Sequence, residues 1–183
     1  MTRRRPPKED EPFLVEIAAL RREPGSHRRI ALSAPLPGLA VPTSAVVGGA
    51  VALEALLESV SEGILVTGTI RATWEGECRR CLERATGEIV VEVRELCVEE
   101  PDDEETTYRL DGDLLDLAPI VHDACILELP LAPLCSEGCL GICPECGANR
   151  NLERCACAAP VDPRWAALAV LRGGEGEQPE EKK

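Results

Sequence analysis

Cysteine spacing constrains this chain more than any other feature of its sequence. Six of the ten cysteines fall within 23 residues, between positions 135 and 157. Thiolates are strong zinc ligands, and closely spaced cysteine pairs are typical of metal sites. This density therefore predicts a metal-binding segment in the C-terminal third of the chain.

The motif CPECG lies at the centre of this segment and has the form of a zinc knuckle. Cys143 and Cys146 are separated by two residues, which lets both thiolates face one ion, and Gly147 permits the tight turn that follows. A second pair must complete the tetrahedron, and Cys155 and Cys157 are the nearest. The spacing predicts a local zinc site formed by these four cysteines.

A second knuckle-like pair, Cys78 and Cys81, occurs in ECRRCLE. Its natural partners are Cys135 and Cys139, the clustered cysteines that the local site does not use. These four residues are a second candidate zinc site, which would tie the middle of the chain to its C-terminal third. The chain would then bind one or two zinc ions, with iron–sulfur ligation and a thiol redox switch as alternatives.

The N-terminal sequence determines how these cysteines are interpreted. MTRRRPPKEDEP is charged and rich in proline, and it does not resemble a secretory signal or a membrane segment. We therefore expect a cytoplasmic protein, where disulfides are rarely structural. Cys97 and Cys125 stand alone in apolar surroundings and are predicted to be small buried core residues.

The charge balance of the chain favours a basic protein partner. The formal net charge is −13, from 33 acidic and 20 basic residues, which opposes broad non-specific binding to nucleic acid. Acidic side chains crowd residues 99–113, which we interpret either as a solvated mobile loop or as a docking surface for a basic partner. The acids proposed for such contact are Glu99, Glu100, Asp102, Asp103, Glu104 and Glu105.

Direct RNA binding is the alternative, because arginines gather near the cysteine pairs. They are Arg79, Arg80, Arg84, Arg150 and Arg154. The overall acidity and the 2% aromatic content, which leaves few side chains to stack on bases, count against this alternative. A zinc- or thiol-dependent enzyme is less favoured still, since all-cysteine zinc sites are closed and neither His27 nor His122 belongs to a recognisable catalytic group.

Two segments show the alternation expected of β-strands. Over residues 64–78, Ile64, Val66, Ile70 and Ala72 share one face and polar residues occupy the other, which predicts a long strand with one buried side. The next strand is GEIVVEVREL, so that CRRCLERATG connects the two. The stretch ALEALLESV suits a helix by its leucines, but its place before a turn favours a strand.

An amphipathic helix is predicted after the acidic stretch. Asp116 is the expected N-cap and Pro130 lies beyond the end. Its buried face should lie across the sheet, and its members recur at spacings of three and four: Leu117, Ile120, Val121, Ala124 and Leu127.

These elements predict an α+β fold. A twisted antiparallel sheet, barrel-like or half-open, would be packed by one or two helices and followed by a cysteine-rich zinc-binding segment. The predicted organisation is a flexible tail at residues 1–11, an α+β domain at 12–134, a zinc-binding segment with a C-terminal helix at 135–171, and a disordered tail at 172–183.

The order of these motifs resembles the bacterial YceD family. The similarity covers C-x-x-C-L, a variable acidic loop, a helix ending in LELPLAPLC, the motif C-x-G-x-C-P-x-C-G-x-N-x-N and the closing D-P-R-W-x-x-L-x-x-L, from about residue 63 to 171. The resemblance implies a role in accumulation of large-subunit ribosomal RNA, in ribosome biogenesis, without enzymatic activity. It also implies that the C-x-x-C pair at Cys78 and Cys81 recurs in the family more widely than the C-terminal cluster, which would then stabilise the protein.

Overall fold

The computed structural model describes residues 11–100 and 108–157, together with Arg164. The predicted N-terminal tail, the first half of the acidic loop, the C-terminal helix and the C-terminal tail fall almost wholly outside these residues. The chain divides into two units, the first ending at Gly141 and the second beginning at Ile142. Cys135 and Cys139 therefore lie in the first unit, with the sheet.

Eight strands and two helices form the described part of the first unit. In chain order they are β1 (Leu14–Glu16), α1 (Ala18–Arg22), β2 (His27–Pro35), β3 (Ala40–Val41), β4 (Ser44–Ser59), β5 (Ile64–Glu77), β6 (Arg84–Val98), β7 (Tyr108–Arg109), β8 (Leu114–Asp116) and α2 (Ala118–Glu128). The main sheet has the order β2-β4-β5-β6-β7, with β3 paired to β4, while β1 and β8 form a separate pair.

The main sheet is open, and its long strands are antiparallel. Only the short β7 runs parallel to its neighbour, β6. The predicted α+β class is confirmed, with the half-open form of the sheet rather than a barrel. The predicted strand before Ser61 is also confirmed, because it forms the second half of β4.

The predicted buried face of β5 is confirmed. Ile64, Val66, Ile70 and Ala72 are all buried, and the residues between them are exposed or half-buried. The same face continues across β6 and β4 to form the hydrophobic core, which α2 covers. The alternation of apolar and polar residues therefore arises because one face of the sheet packs against the core.

The connection between β5 and β6 is shorter than the sequence suggested. β6 begins at Arg84 instead of Gly87, so the connection is the six-residue turn 78–83. Trp74 lies opposite Gly87 in the register, and its ring covers that glycine. Pairing extends to Glu77 and Arg84, so the turn lies at the end of the longest antiparallel pairing of the main sheet.

Helix α2 lies where it was predicted, but two details differ. Leu117 is the N-cap, although the Asp116 carboxylate accepts a hydrogen bond of 2.9 Å from the Ala118 N–H group. Leu127 is not on the buried face; it is 83% exposed. The helix ends at Glu128 and the chain leaves it in extended conformation, which turns Leu129 into the core instead.

Arg21, at the end of α1, holds both described ends of the acidic stretch. Its Nη1 donates a hydrogen bond of 2.5 Å to the Gly112 carbonyl, and its Nη2 forms an ion pair with Glu99. Asp113 lies 4.0 Å from the same guanidinium group. Glu99, one of the acids proposed for partner contact, therefore has an ion-pair partner within the first unit.

Candidate metal centres

The turn between β5 and β6 is a cysteine knuckle closed by backbone hydrogen bonds. The Leu82 N–H group donates to the Cys78 carbonyl at 2.9 Å, and the Cys78 N–H group donates to the Glu83 carbonyl at 2.8 Å. Leu82 has a φ of +64°, a left-handed conformation that is unfavourable for a residue with a side chain. The local fold thus accepts strain to bring Cys78 and Cys81 to one side of the turn.

The second unit contains the same knuckle, in which the first cysteine forms backbone hydrogen bonds with the residues four and five positions after it. The Gly147 N–H group donates to the Cys143 carbonyl at 2.9 Å, and the Cys143 N–H group donates to the Ala148 carbonyl at 2.8 Å. Gly147 has a φ of +74° and stands where Leu82 stands in the first knuckle. Apart from the shared C-x-x-C spacing, nothing in the sequence predicts this equivalence, because leucine is not a residue that signals a left-handed turn.

Four cysteines of the first unit meet at the first knuckle. We call Cys78, Cys81, Cys135 and Cys139 the first tetrad; their sulfurs lie within 4.8 Å of one another. The Cys78 and Cys139 sulfurs are 3.7 Å apart, and those of Cys81 and Cys135 are 3.5 Å apart. All but Cys135 are buried.

Backbone contacts hold the segment that carries Cys135 and Cys139 against the hairpin. The Arg79 N–H group donates to the Pro133 carbonyl at 3.0 Å, and the Arg80 guanidinium donates to the Cys139 carbonyl at 2.9 Å. Ala85 joins the buried cysteines in a small cluster against which Trp74 packs. The first tetrad is therefore part of the packing of the first unit.

The electrostatics of the first tetrad suit a cation. Burial raises the pKa of the Cys78 thiol, but backbone N–H groups of Cys135, Arg80 and Cys81 outweigh it and lower the pKa to about 6. At Cys81 the Glu83 N–H group lowers the pKa, whereas burial and the neighbouring thiols raise it to about 12. Four thiols this close cannot all ionise unless a cation offsets their repulsion.

Four cysteines of the second unit form the second tetrad: Cys143, Cys146, Cys155 and Cys157. Their sulfurs also lie within 4.8 Å of one another. Hydrogen bonds from the N–H groups of Cys146 and Glu145 lower the pKa of Cys143 to about 6, and hydrogen bonds with Cys146 and Cys143 raise the pKa of Cys157 to about 12. The structure thus brings together the four cysteines of the predicted local site.

Both tetrads fit a tetrahedral ion with thiolate ligands. A zinc–sulfur bond of about 2.3 Å places the sulfurs of a regular tetrahedron roughly 3.8 Å apart. The sulfur distances of 3.7 and 3.5 Å in the first tetrad agree with that spacing. An iron–sulfur cluster would hold its cysteines further apart, because several inorganic atoms lie between them.

The remaining described cysteines belong to the core, as predicted. Cys97 and Cys125 are fully buried. Burial raises the pKa of Cys97 to about 12, with a contribution from Glu95, and that of Cys125 to about 11. Both thiols behave as small apolar side chains. His122 is partly exposed and lies beside Asp123.

The five arginines proposed for RNA contact are distributed over both units. Three lie in the first unit, and two of these have structural partners: Arg80 binds the Cys139 carbonyl and Arg84 forms an ion pair with Glu75 at 2.5 Å. Arg150 and Arg154 are exposed residues of the second unit. Of the acids proposed for partner contact, Glu99 pairs with Arg21, Glu100 is exposed, and Asp102, Asp103, Glu104 and Glu105 lie outside the described residues.

Comparison with known proteins identifies the family of this chain. A family model described as "Large ribosomal RNA subunit accumulation protein YceD" matches residues 66–172, more than half of the chain. This chain belongs to the YceD family. The matched region contains both tetrads, begins within β5 and excludes all four strands that precede it.

Relatives of this YceD protein occur in mycobacteria and in a plant. An uncharacterized protein of Mycobacterium tuberculosis is 36% identical over 174 residues, which cover 91% of this chain and 84% of the relative. An uncharacterized protein of Mycobacterium leprae is 34% identical over 170 residues, covering 87% and 77%. The chloroplastic large ribosomal RNA subunit accumulation protein YCED homolog 1 of Arabidopsis thaliana is 32% identical over 59 residues, covering 32% and 18%.

No solved structure matches the chain. Within the described residues, no helix is long and apolar enough to span a membrane.

Proposed function

We propose that this protein is a non-enzymatic cytoplasmic factor of ribosome biogenesis that supports accumulation of large-subunit ribosomal RNA. It acts by binding a basic ribosomal protein or a ribonucleoprotein intermediate, and its tetrads hold structural zinc. The observation that carries this proposal is the family match over residues 66–172, whose description names that role. The geometry of the tetrads supports the structural part.

The composition of the tetrads favours structural over catalytic zinc. Each tetrad offers four cysteine sulfurs, and four protein ligands complete a tetrahedron without leaving a position for water or substrate. Catalytic zinc sites keep such a position open. Zinc in the first tetrad would fix the segment that follows α2 to the hairpin of β5 and β6.

The charge of the chain supports a basic protein partner over naked RNA. The formal net charge of −13 repels phosphate, whereas it attracts the basic surfaces of ribosomal proteins. The engagement of Arg80 and Arg84 in contacts within the first unit further reduces the cationic surface left for RNA.

Affinity capture of the full chain tests this proposal. The tagged protein is captured at low and high salt, and the bound proteins and RNAs are identified; naked large-subunit ribosomal RNA is then tested for direct binding at physiological salt. We expect salt-sensitive capture of ribosomal proteins or precursor particles. Tight binding to the naked RNA would contradict binding through a basic protein partner and would favour direct RNA binding through the arginines near the cysteine pairs.

Two variants with equal changes in net charge test the acidic loop. The loop variant neutralises Asp102, Asp103, Glu104 and Glu105 as amides. The control variant neutralises four exposed acids of the main sheet, Glu54, Glu77, Glu88 and Glu92. If the loop docks the partner, the loop variant weakens capture while the control retains it. Equal losses would show that only overall charge matters.

A further inference from the structure

The first tetrad is largely shielded from solvent. Cys78, Cys81 and Cys139 are 0%, 5% and 3% exposed, and only Cys135 is an exposed residue. Its two pairs come from distant parts of the chain, which are joined by the hydrogen bonds of Arg79 and Arg80 and by the packed cluster described above. A reagent in water therefore meets a centre whose ligands are mostly covered by the packing of the first unit.

The second tetrad is open to solvent. Cys143 is buried, Cys155 is half-buried, and both Cys146 and Cys157 are exposed. Thiolate reactivity depends on access as well as on ionisation, so a reagent in water can reach two of its four cysteines. The two centres thus have the same type of ligand and the same type of knuckle, but their cysteines differ in exposure to solvent.

The described part of the second unit depends on its tetrad for its fold. Among its described residues, Cys143 is the single buried one, so that part of the unit has no hydrophobic core. Where a domain has no such core, metal-binding free energy is also folding free energy. Loss of the metal would therefore unfold the described part of the second unit, whereas the first unit keeps its large core.

We propose that the second tetrad is a thiol-oxidation site that releases its metal on reaction with a hydroperoxide, while the first tetrad keeps its metal. The thiolate of an exposed cysteine, Cys146 or Cys157, attacks the peroxide, forming a sulfenic acid and releasing an alcohol or water. A neighbouring thiolate, within 4.8 Å, then attacks the sulfenic sulfur; a disulfide forms and the hydroxide leaves as water after taking a proton.

The electron balance of this reaction is complete. Two thiolates, one hydroperoxide and two protons give one disulfide, one alcohol (or water, from hydrogen peroxide) and one water. The metal loses two of four ligands and dissociates. The inference rests on the metal-binding part of the proposed function, and it adds that oxidation would unfold the described part of the second unit.

The test uses the full-length, zinc-loaded and reduced protein. Its metal content is measured first; hydrogen peroxide is then added, released zinc is followed with a chromogenic chelator, and oxidised cysteines are identified by differential alkylation and mass spectrometry. We expect one zinc to leave on the order of tenfold faster than the other, because exposure governs thiol reactivity. The disulfide should map within residues 143–157.

Two matched variants assign the fast phase of release. Cys146→Ser combined with Cys157→Ser removes both exposed ligands of the second tetrad, and Cys135→Ser removes the exposed ligand of the first. The double variant should abolish the fast phase, because neither exposed thiol is left to attack the peroxide, and Cys135→Ser should leave it intact. If either variant fails to fold, the cysteine mapping in the unmodified protein still decides.

The outcomes separate this inference from the proposed function. Release of both zinc ions at one rate, or a first disulfide involving Cys135, would overturn the inference and leave structural zinc standing. Reduced protein that contains fewer than two zinc ions would overturn the inference together with the two-site account of metal binding. The role in ribosome biogenesis is decided separately by the capture experiment.

Discussion

The strained leucine of the first knuckle leads to a quantitative prediction. Leu82 has a φ of +64°, and a left-handed conformation costs a residue with a side chain roughly 1–2 kcal/mol. Replacement by glycine relieves that strain. Leu82 is 59% exposed, so the lost burial costs about 1 kcal/mol, and the greater freedom of unfolded glycine costs about 0.5–1 kcal/mol more. Leu82→Gly should therefore change the free energy of unfolding by less than about 1 kcal/mol.

Leu140 provides a matched control in the same unit. It is also 59% exposed, but its φ is not positive, so Leu140→Gly brings the same losses without the relief. We expect this variant to lose about 2 kcal/mol, which makes it about 1.5 kcal/mol less stable than Leu82→Gly.

Urea denaturation of the zinc-loaded variants measures this difference. Far-ultraviolet circular dichroism follows the sheet, and the metal concentration is held constant because bound metal itself adds to stability. If Leu82→Gly proves as destabilising as Leu140→Gly, the reasoning is wrong, and the leucine side chain stabilises the knuckle by more than its burial accounts for.

Three further predictions concern other positions. Gly147→Ala should lower the stability of the second unit by about 1 kcal/mol, because the φ of +74° is unfavourable and the added carbon meets no atom within 4 Å; loss of zinc affinity reports it. Arg21→Met should cost about 1 kcal/mol through its lost bond to the Gly112 carbonyl, measured as a lower melting temperature. Cys97 and Tyr108 have pKa values raised from 9.0 and 10.0 to about 12, so the folded chain keeps protons that the unfolded chain loses; stability should fall as pH rises from about 9 towards 12, as followed by urea midpoints.

Each of these predictions has a control. Arg22→Met removes the neighbouring exposed arginine and should leave the melting temperature unchanged. Cys97→Val combined with Tyr108→Phe should reduce the alkaline loss of stability, while the buried Cys125 thiol, whose pKa is raised to about 11, keeps its own contribution. An unchanged slope would contradict the assignment to Cys97 and Tyr108. A Gly147→Ala protein with undiminished zinc affinity would show that the second knuckle tolerates a side chain as the first one does.

The main sheet could be predicted from the sequence, because a sheet with one buried face has apolar and polar residues in alternation along each strand. Ile64, Val66, Ile70 and Ala72 alternate with polar residues, and each proved to be buried. The position of Leu127 could not be predicted in this way. Its spacing placed it on the helix face of Ile120. Its burial, however, depends on where α2 ends and on the direction in which the chain leaves the helix, and the helical period predicts neither.

The cysteine spacing predicted the chemistry of the candidate site but not its supports. Two C-x-x-C pairs indicate two knuckles, because two intervening residues suit one ion. The strain at Leu82 and the bond of Arg80 to the Cys139 carbonyl had no sequence signal. Both depend on the path of the chain around the turn.

The sequence by itself determined the sheet, the knuckles and the acidity of this protein, because each is expressed in neighbouring residues. The tertiary structure alone decided that Cys78 and Cys139, 61 residues apart, lie 3.7 Å from each other. It also decided that three of the four cysteines are buried in the first tetrad and one of the four in the second. The physical reason is that packing joins distant segments: the first tetrad rests on a hairpin backed by the core, whereas the described residues around the second tetrad are those of its own short loop.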